Sequence, residues 1–395
     1  MKRAHLTLAA GVAVAALLAT QQSASAGSAG VAGPAADTWT GTWSASPQSS
    51  GDTFDNQTLR QIVHTSISGT SVRIRLSNAF GSGPLTVDDV HVAQRASGSS
   101  VVPSSDHALT FGGQSGTVIA PGASAVSDPL SFSVGAGTDL AVSLHLPTTT
   151  GPATTHQTGL QDNYVATGDV SGDTDLTGAR TTGSYYFLSG VDVVNPAAEG
   201  AVVALGASIT DGVASGSNSN RRWPDDLASK LNASGRTVGV LNQGISGNQL
   251  LKDGAGQSAL NRFDRDVLDQ PGVRWVIFSD DPINDLTSAA PGSDQLIDGL
   301  KQLISRAHAR GITFLCSTLT PVEGTNGWNA DLETKRATVN AFIRGADSGC
   351  DGVVDQDTAT HDPAHPTRYR TDLDSGDHLH PNEKGLQAIA DAVDF

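Results

Sequence analysis

One change of pattern, close to residue 197, constrains the fold of this chain more than any other feature. Up to about Pro196 the sequence consists of short β-like runs between clusters of Gly, Ser, Pro and Asp. From about Glu199, apolar runs alternate with amphipathic helical stretches. Strands with frequent turns are typical of antiparallel sandwiches, whereas strand–helix alternation indicates a parallel sheet covered by helices. A chain of 395 residues is long enough for two domains, so we predict two domains of different class.

The first domain, residues 37–196, is predicted to be an all-β sandwich with a jelly-roll-like arrangement. The run SVRIRLS (71–77) places Val72, Ile74 and Leu76 on one face and two arginines on the other. The runs LTVDDVHVA (85–93) and TDLAVSLHL (138–146) are similarly short, and helical periodicity is almost absent. This composition favours two packed antiparallel sheets.

The second domain, residues 199–395, is predicted to be α/β with a parallel sheet. Five apolar runs are interpreted as buried strands: AVVALG (201–206), TVGVLN (237–242), RWVIFS (274–279), ITFLCSTL (312–319) and DGVVD (351–355). Apolar residues at helical spacing between these runs predict covering helices. Such sheets carry their sites at the carboxyl ends of the strands.

The N-terminus is predicted to be removed before the protein works. Residues 1–26 combine a basic start, the apolar run LTLAAGVAVAALLA (6–19) and the small residues ASA, so we expect cleavage after Ala26. Residues 27–36 are a Gly/Ala-rich leader. The apolar run is too short to span a bilayer, so we predict a secreted protein without stable membrane insertion.

The charge balance and the cysteines narrow the partners and the compartment. There are 24 Lys and Arg against 40 Asp and Glu, a net charge of −16 that argues against nucleic acid as a partner. The sequence does not fix the oligomeric state, and we expect a monomer.

Export permits a disulfide between Cys316 and Cys350, but two buried free thiols are an equally open reading.

Three of the predicted strands end in residues that suit acyl chemistry. Ser208 in ALGASITDG can present its hydroxyl and its own N–H to one bound atom, although a helix N-cap is the plainer reading. NQGISGN carries Gly244 and Gly247, which permit close backbone approach or form a plain turn. SDDPINDL carries Asn284, a neutral amide donor or a turn residue.

A fourth stretch, SGDHLHPNEKG (375–385), carries Asp377, His378 and His380 before a helix-like tail. The three-residue spacing of Asp377 and His380 places both on one side of a turn that enters a helix. Asp377 can then hold the imidazole while its other nitrogen takes a proton from Ser208. His378 is expected to point elsewhere, as a supporting or solvated residue.

Together the four stretches resemble the SGNH, or GDSL-type, hydrolase family, over roughly residues 199–395. Ser208, Gly244, Asn284 and His380 match the four letters, and Asp377 completes D-x-x-H. The β-rich part looks like the amino-terminal domain of two-domain bacterial members. The resemblance implies a flavodoxin-like three-layer α/β/α domain with Ser208, His380 and Asp377 as catalytic residues. It also implies an oxyanion hole of Ser208, Gly244 and Asn284, with no metal and no cofactor.

At two positions this sequence departs from the motifs that are usual in the family. Ala207 stands where Asp is common, which does not touch the chemistry directly. Pro282 stands where Gly is usual before the oxyanion Asn. If that turn needs a positive φ or a donor at residue 282, Asn284 is displaced.

The leading functional hypothesis is a secreted serine esterase that acts on short acyl or acetyl esters, including those of carbohydrates. The small-molecule or carbohydrate ester stays unspecified. A lipase or phospholipase of the same family is an open alternative. Another is a carbohydrate-binding surface protein whose hydrolase domain has decayed. His361 and His365 have Pro363 between them, and the aspartates near 372–377 lack a calcium-loop pattern, so no metal site is predicted.

Overall fold

The computed structural model describes residues 38–288 and 291–394. The predicted signal peptide and leader, residues 1–36, lie outside the described residues, so their cleavage stays a prediction.

The β-rich part consists of antiparallel sheets. Its strands are β1 (Trp39–Ser44), β2 (Gln48–Ser49), β3 (Gln57–His64), β4 (Gly69–Ser77), β5 (Leu85–Val87), β6 (Asp89–Ser97), β7 (Ser100–Val101), β8 (His107–Ala108), β9 (Thr117–Ile119), β10 (Ser124–Val126), β11 (Leu130–Val134), β12 (Asp139–Leu146), β13 (Thr154–His156), β14 (Asn163–Thr167), β15 (Arg180–Thr182), β16 (Tyr185–Tyr186) and β17 (Leu188–Val194), with a 3-10 turn at Pro103–Ser105.

Two of these sheets share one apolar core. One sheet has the order β1-β17-β4-β10 and the other the order β15-β14-β3-β12-β6-β7, and side chains of both meet in one buried cluster. Val72, Ile74 and Leu76 of β4 are fully buried in it, as the alternation predicts. The core therefore lies between two antiparallel sheets. The jelly-roll-like connectivity stays a prediction.

The α/β part is built on a parallel sheet, with strands and helices alternating along the chain. Its elements are β18 (Gly200–Gly206), α1 (Ser208–Asp211), α2 (Trp223–Ala233), β19 (Val238–Gly244), α3 (Ala259–Phe263) with a π-helical turn at Asp264–Leu268, β20 (Val273–Phe278), α4 (Asp281–Ser288), α5 (Ser293–His308), β21 (Thr313–Ser317), α6 (Ala330–Arg344), β22 (Gly352–Val354), α7 (Gln356–Thr360), the hairpin β23 (His361–Asp362) and β24 (His365–Tyr369), and α8 (Glu383–Asp391).

The parallel sheet has the order β19-β18-β20-β21-β22. Numbered along this part of the chain, that is 2-1-3-4-5, the flavodoxin-like order, whose topological switch point lies beside the first strand. Every residue of β18 is buried, because the strand lies between β19 and β20 and its side chains share one apolar core with those of α2, α5, α6 and α8. The sequence therefore brings the carboxyl end of β18 to the point where such folds bind ligands.

The β-rich and α/β parts pack together as one compact unit. Gly41 of β1 donates its N–H to the carbonyl of Pro271 at 3.0 Å. A Cβ on Gly239 of β19 would lie 2.1 Å from the carbonyl oxygen of Gly41, so the two backbones can approach this closely only with glycine at residue 239. The division into separate domains at residues 196–199 stays a prediction.

Cys316 of β21 and Cys350 are joined in a disulfide, with Cα atoms 5.8 Å apart. This resolves the choice between a disulfide and free thiols in favour of the disulfide.

Within the described part of the chain, none of the helices combines the length and the apolar character that a membrane span requires.

Candidate active site

Ser208 is the first residue of α1, directly beyond the carboxyl end of β18. The buried carboxylate of Asp280 accepts hydrogen bonds from the N–H groups of Ala207 (3.0 Å) and Ile209 (2.8 Å), and from the hydroxyl of Thr210 (2.7 Å). Asp280 therefore fixes the backbone on both sides of Ser208. The N–H of Ser208 itself makes no hydrogen bond to any described residue.

Gly206, the last residue of β18, makes room for this turn. A Cβ at that position would lie 2.1 Å from Oγ1 of Thr210 and 2.5 Å from Oδ1 of Asp280. Any larger residue would push the carboxylate away from the backbone it holds, so the turn that presents Ser208 depends on this glycine.

The structure brings Ser208, His380 and Asp377 into one hydrogen-bonded chain. Nε2 of His380 lies 2.9 Å from Oγ of Ser208, and Nδ1 of His380 lies 2.6 Å from Oδ2 of Asp377. The other oxygen of Asp377 accepts the N–H groups of Leu379 (2.9 Å) and His380 (2.8 Å), which fixes the turn that precedes α8.

This geometry selects one form of the imidazole ring. With its proton on Nδ1, His380 donates to Asp377 and leaves the lone pair of Nε2 facing the Ser208 hydroxyl. Burial alone would raise the pKa of Asp377, but hydrogen bonds from the His380 ring and backbone outweigh it and lower that pKa to about 2. Asp377 therefore stays a carboxylate over the range in which an imidazole titrates.

His378 lies outside this chain. Its Nδ1 is 2.6 Å from Oδ2 of Asp374, about half of its side chain is exposed, and its backbone has a left-handed φ of 63°. The structure thus places it as the sequence predicts, next to the site but without contact to Ser208.

Asn284 lies in α4, after the carboxyl end of β20. Its Nδ2 donates to the carbonyl oxygen of Asn248 at 2.8 Å, and a primary amide has a second N–H. The next residue, Asp285, accepts the N–H groups of Leu250 (2.6 Å) and Leu251 (3.1 Å). Burial raises the pKa of Asp285 to about 6 despite these bonds. The Asn-Asp pair therefore ties α4 to the segment that follows β19.

Pro282 does not disturb this arrangement. It lies in the first turn of α4, where the backbone N–H groups have no partner within the helix and proline is tolerated. Its φ is not in the positive range. The turn thus needs neither a positive φ nor a donor at residue 282, and Asn284 keeps its contact with Asn248.

Gly244 does not fit the donor role that the resemblance implies. Its N–H donates to Oδ1 of Asn242 at 2.8 Å, and a Cβ there would lie 2.3 Å from the backbone N of Asp211. Gly244 therefore serves the close packing of β19 against α1. The structure corrects this part of the prediction.

Gly247 has a backbone N–H that is available as a donor, which Gly244 lacks. It is exposed, its φ is 80°, and its N–H makes no hydrogen bond to the described residues. The sequence contained one signal for this role: Gly247, between Ser246 and Asn248, lies beyond the end of β19, whereas Gly244 lies inside that strand. Both glycines stand in NQGISGN, and only the backbone geometry separates their roles.

Sequence reasoning missed other residues that shape this site. Asp280, Asp211 and Arg262 are buried and hydrogen-bonded to the segments that carry Ser208 and Gly247. Their partners are distant in the sequence, so periodicity and motif spacing gave no signal for them. Among the described residues, no group of three or more His, Cys, Asp and Glu side chains has the arrangement needed to hold a metal ion.

The fold and this site define an α/β domain whose Ser–His–Asp set lies at the carboxyl edge of a parallel sheet. Residues 204–388 match the model of the GDSL-like lipase/acylhydrolase family, and this domain belongs to that family. A comparison with curated proteins finds no match.

Several solved structures are similar to about half of the chain. A lipase/acylhydrolase from Enterococcus faecalis is 19% identical with a TM-score of 0.38, covering 49% of this chain and 92% of its own. A GDSL-like lipase from Bacteroides thetaiotaomicron is 18% identical with a TM-score of 0.38, covering 49% and 85%. A mutant acetyl-xylooligosaccharide esterase from Geobacillus Stearmophilus is 21% identical with a TM-score of 0.38, covering 49% and 92%.

Proposed function

We propose that this protein hydrolyses carboxylic esters, with Ser208 as the nucleophile. The observation that carries the proposal is the 2.9 Å distance between Oγ of Ser208 and Nε2 of His380. A serine hydroxyl is a weak nucleophile unless an adjacent base takes its proton, and this distance lies within hydrogen-bond reach of such a base.

In the acylation step, Oγ of Ser208 attacks the acyl carbon while its proton moves to Nε2 of His380. The imidazolium that forms is stabilised by the carboxylate of Asp377, which is hydrogen-bonded to Nδ1. When the tetrahedral intermediate collapses, His380 returns the proton to the departing alkoxide. Water then attacks the acyl-enzyme by the same route, with His380 again as the base.

The negative charge on the former carbonyl oxygen requires donors that are in place before the reaction. Ser208 and Gly247 each have a backbone N–H without a partner among the described residues, and Asn284 has a second amide N–H. We assign these three groups to the oxyanion hole, with Gly247 in the role first given to Gly244. None of the steps requires a metal or a cofactor.

We propose short acyl or acetyl esters, including those of carbohydrates, as substrates. A long-chain lipase needs an apolar surface on which a lipid can dock. Among the described residues, the large hydrophobic side chains that are exposed are Val118, Val126 and Val353, and none of them belongs to the segments that carry Ser208, Gly247, Asn284 and His380. This supports the short-chain substrate over the lipase or phospholipase alternative.

A binding protein with a decayed hydrolase domain is the weaker alternative. Loss of activity usually removes at least one of the reacting groups, whereas Ser208, His380 and Asp377 keep their hydrogen-bonded geometry.

The disulfide between Cys316 and Cys350 supports a secreted protein, because disulfides persist in oxidising compartments.

An acyl-length series of p-nitrophenyl esters, from acetate to palmitate, tests the proposal together with an acetylated polysaccharide. We expect kcat/KM to be highest for the short acyl groups and to be lost in Ser208→Ala. A rate that rises with chain length would support the lipase alternative. A rate that is equal in both proteins would refute ester hydrolysis at this serine.

A further inference from the structure

A buried hydrogen-bond bridge connects the β-rich part to the helix that carries Ser208. His156, the last residue of β13, lies with Nε2 3.1 Å from Oδ1 of Asp211. Asp211 is the last residue of α1, which begins at Ser208. His156 is 8% and Asp211 2% exposed, so water does not compete for this contact.

The second carboxylate oxygen of Asp211 extends the bridge to the segment after β19. Oδ2 accepts the backbone N–H of Ser246 at 2.8 Å and the Ser246 hydroxyl at 2.6 Å. Ser246 directly precedes Gly247. One carboxylate thus fixes the position of the Gly247 N–H relative to the helix of Ser208.

The ring of His156 is held on both sides. Its Nδ1 lies 3.2 Å from the carbonyl oxygen of Ser46, so both ring nitrogens face oxygen acceptors. These two contacts fix the orientation of the ring between the β-rich part and α1. His156 also lines a cavity, and the other charged and titratable groups of its lining are Asp211, Tyr185, Arg222, Asp225 and His64.

We propose that His156 is a positioning residue for the proposed hydrolysis. Through Asp211 it holds the loop of Gly247 at the distance from Ser208 that the oxyanion requires. The β-rich part therefore supplies part of the active-site framework instead of only covering one side of it. This inference rests on the proposed function and adds a residue to it that touches neither substrate nor nucleophile.

A matched control exists in the same part of the chain. His145 of β12 is 6% exposed, and its Nδ1 lies 2.7 Å from Oδ1 of Asp88, with Nε2 3.2 Å from Oδ1 of Asn56. It resembles His156 in burial and in having a carboxylate partner on the ring, although Asp88 is half exposed whereas Asp211 is buried. All of these contacts stay within the β-rich part.

The test compares His156→Phe, His156→Gln and His145→Phe. Phenylalanine removes both ring nitrogens, whereas the glutamine amide can still donate to Asp211. We expect His156→Phe to lower kcat for p-nitrophenyl acetate roughly tenfold or more with KM within about twofold, since the lost positioning acts in the transition state. His156→Gln should recover most of the rate, and His145→Phe should stay within about twofold of the wild type.

Hydrogen exchange supplies a readout that does not depend on turnover. In His156→Phe the Ser246 amide should exchange faster, and in His145→Phe it should not. If His156→Phe does not fold, Ser246→Ala tests the other end of the bridge: it removes the hydroxyl bond to Asp211 and leaves the backbone N–H bond, so it should lower kcat in the same direction but by less, and an unchanged kcat would count against the inference. A wild type without Ser208-dependent hydrolysis would defeat the proposed function, while the exchange data would still decide whether the bridge holds the loop.

Two outcomes would overturn the inference. One is a His156→Phe enzyme with wild-type kcat and unchanged exchange at Ser246. The other is an equal loss of kcat in His156→Phe and His145→Phe, which would mean that general destabilisation causes both.

Discussion

Arg262 donates from Nη2 to the carbonyl oxygen of Gly206 at 2.9 Å, and its guanidinium is wholly buried. Its Nη1 donates to the carbonyl of Gln243 at 2.6 Å, and its Nε donates to Oδ1 of Asn248 at 3.0 Å. Gly206 and Gln243 belong to the ends of β18 and β19. One side chain therefore connects the two strands that precede Ser208 and Gly247 to the loop that Asn284 also contacts.

Replacing Arg262 should be far more damaging than replacing a surface arginine. Arg262→Met removes the donor to Asn248 and to the Gln243 carbonyl, and it removes the buried cation that faces Asp266 and Asp281, so we expect a loss of roughly 3–5 kcal/mol in the free energy of unfolding. Urea denaturation measures it. Arg310→Met is the control, because Arg310 and its partner Asp269 are both more than half exposed and 3.7 Å apart. That variant should lose at most about 1 kcal/mol. Equal losses would contradict the connecting role of Arg262.

Asp281 should make the stability of the protein depend on pH. Burial raises its pKa to about 7, with Arg262 opposing this and Asp280 and Asp285 adding to it. The folded state therefore holds the proton more tightly than the unfolded state. This contribution to stability is fully present below about pH 4 and is lost as the pH rises towards 7.

Asp281→Asn should remove this contribution to the pH dependence of stability, because asparagine does not titrate. We expect the wild type to lose roughly 1–3 kcal/mol more than Asp281→Asn between pH 4.5 and 7.5, measured by urea denaturation. The comparison between the two proteins isolates Asp281, since the raised pKa of Asp285 affects both alike. Parallel pH profiles would mean that Asp281 is ionised throughout.

Asn284→Ala should lower kcat about 10²- to 10³-fold if its amide stabilises the oxyanion. The same substitution removes the hydrogen bond to the carbonyl of Asn248, so stability must be measured beside the kinetics. Thr287→Ala, on the exposed side of α4, is the control and should stay within about twofold in kcat. A small kinetic effect for Asn284→Ala would remove this residue from the oxyanion hole.

Pro282→Gly should change stability more than catalysis. Proline suits the first turn of α4 and restricts the unfolded chain, so glycine should lower the free energy of unfolding by up to about 1 kcal/mol. Because Asn284 is already in contact with Asn248, we expect kcat/KM within about twofold of the wild type. A gain of tenfold or more would revive the idea that Pro282 weakens the oxyanion hole.

The sequence predicted those features that local pattern controls. The run AVVALG is the strand Gly200–Gly206, and RWVIFS overlaps Val273–Phe278, because uninterrupted apolar runs suit strands that are buried on both faces. The contact between Ser208 and His380 was predicted from the spacing of Asp377 and His380 before the last helix and from the family resemblance, because His380 lies between β24 and α8 and not at the end of a strand of the parallel sheet.

The remaining features depend on contacts that a local sequence pattern does not predict. Gly244 and Gly247 stand three residues apart in one motif, and only the packing of β19 on α1 decides which N–H is free. Asp211 meets His156 from a different part of the fold, and Arg262 reaches Ser46 across 216 residues. Such partners become visible only once the two parts are packed together.

The central claim is that Ser208 is activated by His380. It is tested most directly by reacting the protein with a fluorophosphonate probe and identifying the modified residue by mass spectrometry. We expect a single adduct on Ser208, formed at least about a hundredfold more slowly in His380→Ala and absent in Ser208→Ala. Labelling at another residue, or no labelling of a folded wild-type protein, would contradict the claim.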